Sequence, residues 1–251
     1  IKGQTVLSRT LNQPFRGRVY LVGGAIRELF LNSTPKDFDF ALSDQRDIAL
    51  FENLLGARSF VLGKKPIQTN RITTEDTSID ITVLENTIDE DLLRRDFTMN
   101  AIAYDIHTES IVDPLHGLDD IRKHVIRCPE KDTIRNDPLR MLKAVRHYST
   151  LKGFSLDVTL VEAIKELRSL INHVAPERIK YEMDLIMASG HAFEALTMLD
   201  TTGLLREIFP ELYSLKEMDR QKGFVLETFG HTIDGFKYLK KYHRIYAIDD
   251  K

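Results

Sequence analysis

The most constraining feature of the sequence is a glycine pair, Gly23 and Gly24, that directly follows the apolar run from Val19 to Val22. Thirteen residues beyond the pair, Asp37 and Asp39 are separated by a single residue. Side chains at i and i+2 of a strand share one face, so both carboxylates can bind divalent cations at one site. The glycines let backbone N–H groups approach a phosphate at a strand-to-helix turn. This arrangement predicts metal-assisted nucleotidyl transfer, with Asp37 and Asp39 as catalytic metal ligands.

Length and composition set the limits of this prediction. The chain has 251 residues, of which 42% are hydrophobic, which is enough for two domains or one large domain. There is no run of eighteen apolar residues and no signal-like segment, and the single cysteine, Cys128, has no disulfide partner. We therefore expect a soluble cytoplasmic protein without a membrane partner. The sequence does not indicate an oligomeric state.

The overall charge does not indicate a nucleic-acid binder, since the formal net charge is -3 and the pI is about 6.3. One region differs from this average. Between residues 121 and 152 there are nine Lys and Arg against three Asp and Glu. This local excess is compatible with a solvated helical face or with an anion-binding face.

Hydrophobic periodicity divides the chain into two parts. Up to about residue 125, short β-rich stretches at 19–22, 38–42, 59–62, 78–84 and 101–106 alternate with helical segments. From Asn136 onward, apolar residues recur at helical spacing; Pro176 is placed to start one helix and Gly190 to end another. The pattern predicts an α+β fold, in which a head with a mixed sheet (1–125) precedes a helical neck (126–187) and a helical body (188–251).

Besides the aspartate pair, the predicted head has two other candidate binding regions. Arg27, in the first turn after the glycines, can reach the phosphates of a nucleotide, although a surface arginine on an ordinary helix is the alternative. Between residues 91 and 101, Arg95 is a candidate to bind a phosphate or the sugar. Asp91 is a candidate to accept hydrogen bonds from the ribose hydroxyls. Asp96 and Asn100 are then expected to hold the backbone. The alternative for this second segment, taken by itself, is a salt-bridge network at a helix start.

A third polar segment runs from Asn136 to Arg146. Pro138 suits the first turn of a helix, which places Asp137 near its start and Arg140 one turn further on. A neighbouring carboxylate and guanidinium match the donor and acceptor edge of cytosine or adenine. Uracil and guanine present a carbonyl and a ring N–H at these positions. Each would leave a charged side chain facing the wrong group, which costs about 1 to 3 kcal/mol per mismatch. The alternative is a helix-capping aspartate with an ion pair worth only about 0.2 to 0.5 kcal/mol.

Together these segments resemble the class II tRNA nucleotidyltransferase and bacterial poly(A) polymerase family, which has a polymerase β-like head. The resemblance extends from residue 19 to about residue 187. It is carried by the following segments of this sequence: Leu21-Val22-Gly23-Gly24-Ala25-Ile26-Arg27 with Pro35-Lys36-Asp37-Phe38-Asp39, Arg94 to Ala101, Asp113 to Ile121, Asp137 to Arg146, and Pro176 to Glu182. The last of these resembles the helix that braces the base-selecting one.

The resemblance implies template-independent addition of CMP or AMP, from CTP or ATP, to the 3′ end of tRNA or another RNA. Asp37 and Asp39 would hold two Mg²⁺ ions, and Asp80 falls where the family has a further acidic residue near the metals. Asp80 is either a third ligand or a satisfied aspartate of the strand. The nucleotide-binding set implied in this way is Gly23, Gly24, Arg27, Asp91, Arg95, Asp137, Arg140, Lys143 and Arg146.

The sequence departs from the family pattern in three places. Asn136 replaces the usual glutamate, and Lys143 stands where arginine is common, so we expect a less discriminating base reader. Only ten residues separate Asp80 from Asp91, where CCA-adding relatives carry a longer loop. CCA addition, CC-only addition and A-only addition are therefore all open, as are poly(A) synthesis and a catalytically weak RNA-binding module.

The C-terminal segment carries less information. Residues 229–234 resemble the start of an HD-like domain, yet none of the eight histidines is followed by aspartate, as a metal phosphohydrolase would need. We expect His231 to be packed or solvent-exposed and the body to be truncated. The basic run of Lys237, Lys240, Lys241 and Arg244 is compatible with a solvated helical face or with a surface that contacts an RNA backbone.

Overall fold

The structure is a computed structural model that describes residues 9–10, 13–64, 67–75, 77–214, 230–231 and 233–235. The chain divides into two compact units, Ile1–Pro129 and Glu130–Lys251. The predicted boundary near residue 126 lies close to this division, while the further boundary at 187 stays a prediction. The basic run from Lys237 to Arg244 lies outside the described residues.

The first unit contains a mixed sheet with short helices. Its strands are β1 (Val19–Val22), β2 (Asp37–Leu42), β3 (Phe60–Lys64), β4 (Ile67–Thr73), β5 (Ser78–Val83), β6 (Ala103–Asp105), β7 (Ser110–Val112) and β8 (Val125–Ile126). Its helices are α1 (Gly24–Phe30), α2 (Ile48–Leu55), α3 (Ile88–Leu93) and α4 (Gly117–Lys123).

Seven strands form one sheet in the order β3-β4-β5-β2-β1-β6-β7. Among the strand pairings of the described residues, β2–β5 is parallel and the other five are antiparallel. The prediction of a mixed sheet is thus confirmed. Two of its strands, β4 and β7, were not predicted, because neither segment has a clear alternation of apolar and polar residues.

Strand β2 is anchored by its apolar residues. Phe38 and Phe40 are fully buried, and the Phe40 ring lies 4.8 Å from the Phe51 ring of α2. Burying each aromatic side chain contributes about 2 kcal/mol or more. Because strand side chains alternate, this packing turns Asp37 and Asp39 to the opposite face of the sheet.

The loop around residue 98 is held by hydrogen bonds to later parts of the same unit. The Thr98 N–H donates to the Arg127 carbonyl at 2.9 Å, and the Thr98 hydroxyl donates to the Asp120 carboxylate. Asp113 accepts the N–H groups of Gly117 and Leu118 at 2.7 and 2.9 Å, which satisfies the start of α4. These bonds fix the loop that follows Arg95.

The second unit is helical in its described part, apart from the short strand β9 (Ser155–Leu156). Its helices are α5 (Asp132–Asn136), α6 (Arg140–Thr150), α7 (Val158–Leu167), α8 (Pro176–Ala188), α9 (Ala192–Thr202) and α10 (Leu204–Ile208), with a 3-10 helix over Arg168–His173. Pro176 occupies the first turn of α8, as predicted, since its fixed φ suits that position. No helix within the described ranges is both long and apolar enough to cross a membrane.

Helix α6 begins later than the sequence pattern suggests. Pro138 lies in a turn, because the Arg140 N–H donates to the Asp137 carbonyl and the Met141 N–H donates to the Pro138 carbonyl. The helix itself starts at Arg140. Asp137 therefore lies just outside the helix in extended backbone, where its carboxylate can be oriented by other elements.

Candidate active site

The register of the sheet brings three ionisable side chains side by side. Asp39 of β2 is paired with Asp80 of β5, and Asp80 is paired with Arg71 of β4. Residues at paired positions point to the same face of a sheet. Asp37 lies two residues before Asp39 and so shares that face. The aspartate pair and Asp80, which the sequence nominates separately, therefore lie on one face of the sheet.

The electrostatics of Asp39 favour a cation at this site. Burial raises the pKa of the Asp39 carboxyl to about 6. The positive charges of Arg95 and Arg71 oppose this rise, whereas the Asp80 and Asp37 carboxylates add to it. A divalent cation would reverse the cost of ionising Asp39, because its charge compensates both the burial and the neighbouring carboxylates.

Asp37 and Asp39 are suited to bind such a cation, and Asp80 is arranged differently. Both oxygens of Asp80 accept from Arg71, with Nε–Oδ1 at 2.7 Å and Nη2–Oδ2 at 2.6 Å. Across the part of the chain that the structure describes, no three His, Cys, Asp or Glu side chains are grouped to hold a metal ion. Two carboxylates are nevertheless a sufficient protein contribution for Mg²⁺, which takes its remaining ligands from water and substrate phosphates.

Gly23 is required at its position for two physical reasons. Its φ of 77° lies in the left-handed region, which strains any other residue. A Cβ here would lie 2.9 Å from Arg95 Nη1 and 3.2 Å from Asp39 Oδ2. The Gly23 N–H donates to the Ile102 carbonyl at 3.2 Å, so Gly23 is not a phosphate donor in this state. Gly24 opens α1, where the first N–H groups lack partners inside the helix.

Arg27 is buried beside the glycine turn, with a side chain only 9% exposed. Its Nη1 donates to Oδ1 of Asn100, and Asn100 Nδ2 donates to Oδ1 of Asp96 at 3.0 Å. The expectation that Asp96 supports the backbone is confirmed by its bond from the Phe97 N–H at 2.9 Å. The same expectation for Asn100 is wrong in part, because Asn100 orients the Arg27 guanidinium.

Arg95 and Asp91 form a pair in this structure. Asp91 Oδ2 accepts from Arg95 Nε at 3.1 Å and from Nη2 at 2.9 Å. The pair also places Arg95 Nη1 against Gly23. The hypothesis of a salt bridge and the hypothesis of nucleotide binding by this segment are therefore compatible. Asp91 thus restricts the rotamers of a guanidinium that lies beside Gly23 and near Asp39.

In the second unit, a polar stripe begins at Asp137, just before α6, and continues along that helix. Arg140, Lys143 and Arg146 follow one another at intervals of three and are each partly buried, while Met141, Leu142 and Val145 are fully buried. Arg140 Nη1 donates to the Thr133 carbonyl at 3.3 Å. The basic excess found in the sequence is thus partly this stripe.

Helix α8 holds the ends of the stripe. Arg178 Nη2 donates to both oxygens of Asp137, at 3.2 and 3.1 Å. Arg146 Nε donates to Glu182 Oε2 at 2.7 Å, and the Glu182 side chain is only 5% exposed. These contacts agree with the expected bracing role of residues 176–182. The Arg178–Asp137 pair was not predicted, because the two residues lie on separate segments.

Comparison with known proteins adds independent information. Residues 19–127 match the model described as the poly A polymerase head domain, and residues 153–215 match the model for a probable RNA and SrmB-binding site of polymerase A. The CCA-adding enzyme of Geobacillus thermodenitrificans is 37% identical over 74% of this chain and 49% of its own length. The CC-adding tRNA nucleotidyltransferase of Halalkalibacterium halodurans is 33% identical over 81% of this chain and 52% of its own.

The chain belongs to the tRNA nucleotidyltransferase and poly(A) polymerase family. A solved structure agrees with this assignment. The Bacillus stearothermophilus CCA-adding enzyme in complex with CTP matches with a TM-score of 0.67 and 32% identity, over 80% of this chain and 52% of that one. The chain spans about half the length of the curated relatives it matches.

For this nucleotidyltransferase family member we predict that removing the Asp39 charge stabilises the metal-free protein. Because the folded pKa lies above the ordinary value near 4, ionisation of Asp39 costs stability as the pH rises through about 4 to 6. In EDTA at pH 8, Asp39→Asn should raise the free energy of unfolding by about 1 to 3 kcal/mol. The gain should disappear near pH 4, as measured by urea denaturation.

Asp119→Asn is the matched control, since Asp119 is an exposed carboxylate paired with Arg122. It should change the free energy of unfolding by less than about 0.5 kcal/mol. Saturating Mg²⁺ should stabilise the unsubstituted protein more than Asp39→Asn. Lower stability of Asp39→Asn in EDTA at pH 8 would show that the neighbouring arginines outweigh burial.

We also predict that Arg146→Met destabilises the second unit by about 3 kcal/mol, because it leaves the buried Glu182 carboxylate without its ion-pair partner. Chemical denaturation measures this loss. Lys180→Met removes a charge from an exposed pair with Asp184 on the same helix and should cost less than about 1 kcal/mol. Equal losses in the two variants would contradict a bracing role for the buried pair.

Proposed function

We propose that this chain catalyses template-independent addition of CMP, and of AMP where the full CCA sequence is made, to the 3′ end of tRNA. The observation that carries the proposal is the pair Asp37 and Asp39 on one strand face, directly beside the Gly23 turn. The family assignment supports it, since relatives in the same family are named as CCA-adding and CC-adding enzymes.

Different residues of the chain have different roles in the proposed reaction. Asp37 and Asp39 bind the divalent cations, for which we propose Mg²⁺. When bound, Mg²⁺ lowers the pKa of the attacking 3′-hydroxyl and neutralises the leaving pyrophosphate. Arg27, oriented by Asn100, is placed to hold triphosphate oxygens beside Gly24. Arg95 binds a phosphate or the sugar, and its partner Asp91 accepts hydrogen bonds from the ribose hydroxyls.

Base selection is assigned to the polar stripe of α6. Asp137 and Arg140 supply an acceptor and donors that match cytosine and adenine. Arg178 holds both oxygens of Asp137 and so orients the carboxylate before a base arrives. Arg146 is fixed by Glu182, and Lys143 adds a positive charge between the two arginines.

The product is expected to end after two cytidines. Strand β5 ends at Val83 and α3 begins at Ile88, so the connection between them has only four residues. Thr87 closes this connection by accepting the Glu90 N–H at 3.3 Å. The longer loop that helps CCA-adding relatives switch from C to A has no counterpart at this place. This favours CC addition over complete CCA addition.

The test is product sequencing after incubation with tRNA that lacks its 3′ end, with CTP and ATP offered separately and together. We expect addition of two cytidines. Asp37→Ala should lower incorporation by about two orders of magnitude or more, since the metal supplies several kcal/mol to the transition state. RNA binding, measured by filter retention, should persist in this variant.

Other outcomes would favour the alternatives. Complete CCA addition would show that the short connection does not limit the product. Long A tails on unstructured RNA would identify a poly(A) polymerase, an activity that the matched head-domain model also names. RNA binding without any incorporation by the unsubstituted protein would indicate an RNA-binding module that kept the fold.

Asp137→Asn should weaken the preference for CTP over UTP by about tenfold, because the amide can face a carbonyl as well as an amine. Single-nucleotide incorporation with each triphosphate measures the ratio. Asp132→Asn is the control, since Asp132 is an exposed residue of the neighbouring helix α5, paired with Arg135. An unchanged ratio in Asp137→Asn would remove Asp137 from the base reader.

A further inference from the structure

Arg71 is a charged residue of the head unit to which the proposed reaction assigns no role. It lies on β4, directly opposite Asp80 and two strands away from Asp39. Its side chain is 40% exposed and that of Asp80 is 24% exposed. Both side chains are therefore partly exposed to solvent, on the sheet face that also carries Asp39.

The contact between Arg71 and Asp80 is bidentate. Nε and Nη2 each donate to a different oxygen, at 2.7 and 2.6 Å, in the parallel geometry of a guanidinium fork. Arginine is preorganised for this geometry, and lysine cannot reproduce it. The hydrogen bonds to Asp80 also raise the pKa of the Arg71 guanidinium further above its ordinary value.

The stability of the fold does not explain this pair. Strands β4 and β5 are already joined by a backbone ladder from Thr69↔Thr82 to Thr73↔Ser78. A half-exposed ion pair adds at most about 1 kcal/mol to such a hairpin. A positive charge placed across from a potential metal ligand has a larger effect on the affinity for cations.

An oxygen held by Arg71 competes with coordination, because a metal ligand must turn its lone pairs toward the cation. Asp80 has both oxygens engaged, whereas Asp37 and Asp39 lie on the neighbouring strand. This agrees with the lack of a three-carboxylate group among the residues that the structure describes. The fork leaves a second lone pair on each oxygen but fixes the orientation of the carboxylate, so Asp80 can turn toward a cation held by Asp37 and Asp39 only when the fork breaks or shifts.

We propose that Arg71 is a positioning residue that competes with the divalent cation for the Asp80 carboxylate and thereby sets the metal affinity of the site. With Arg71 in place, Asp37 and Asp39 carry the binding. When the pair with Arg71 is broken, Asp80 becomes a third ligand. The inference rests on the proposed function, because it takes the aspartate pair to be a metal site.

The experiment measures Mn²⁺ binding to the 251-residue chain by electron paramagnetic resonance, without nucleotide or RNA. Arg71→Gln should bind Mn²⁺ about tenfold more tightly than the unsubstituted chain, a size typical of changes next to a metal ligand. Arg71→Lys keeps the charge and loses the fork, so its affinity should lie between these two. Arg58→Gln, which removes an exposed arginine paired with Glu52, should leave the affinity unchanged.

The decisive readout is the effect of Asp80→Asn in two backgrounds. With Arg71 present, this change should weaken Mn²⁺ binding by less than about threefold. With Arg71→Gln, it should weaken binding by about tenfold or more, because Asp80 has then become a ligand. An equal effect in both backgrounds would show that Arg71 acts only through its charge and would overturn the proposal. Unchanged affinity in Arg71→Gln would overturn it as well.

Asp39→Asn separates this inference from the proposed function. If Asp39→Asn abolishes Mn²⁺ binding while Arg71→Gln has no effect, the metal site is correct and the role of Arg71 is wrong. If neither change alters Mn²⁺ binding, the metal site itself is wrong. Tighter binding in Arg71→Gln that also requires Asp39 supports both.

Discussion

The register of β2 is the constraint on which the head site depends. Phe38 and Phe40 are buried on one side of the strand, so Asp37 and Asp39 face the other. A slip by one residue would place both carboxylates in the apolar core, at a cost far above that of any surface rearrangement. The parallel pairing of β2 with β5 then places Asp80 beside Asp39. Hydrophobic packing on one face of the sheet thus determines the chemistry of the other face.

Charge at this site is balanced by guanidinium groups. Asp39 is partly desolvated and lies near two other carboxylates, while Arg95 and Arg71 lower the resulting cost. Both arginines are themselves held, Arg95 by Asp91 and Arg71 by Asp80. The site therefore has fixed positive groups around an acidic centre, an arrangement that suits a substrate bringing both cations and phosphates.

In the second unit, charged side chains are likewise held by partners of opposite charge. Two residues of α8, Arg178 and Glu182, pair with Asp137 and Arg146 at the ends of the polar stripe. Asp137 and Arg146, two of the residues that we propose for base selection, are thus each held in one orientation. Such preorganisation lets a mismatched base cost free energy, because the side chains cannot rotate to accommodate it.

Much of the fold and of the candidate site was predictable from local pattern. Strands β1 and β2, the glycine turn, the aspartate pair and the start of α8 at Pro176 follow from apolar periodicity and from the conformations of glycine and proline. The strand β4 was missed because Gln68, Thr69 and Asn70 interrupt any apolar alternation. Arg71 was missed with it, since a charged residue in an apparent loop gives no sign of a partner.

The sequence by itself determined most of the residues that could carry the chemistry and, for most of these, the kind of element on which each would lie. Only the tertiary structure decided their partners: Asn100 for Arg27, 73 residues away, Arg71 for Asp80, and Arg178 for Asp137. The physical reason is that helix and strand periodicity depend on neighbours within a few residues. The partner of a charge depends instead on strand order, register and helix packing, which hydrophobic burial over the whole unit selects.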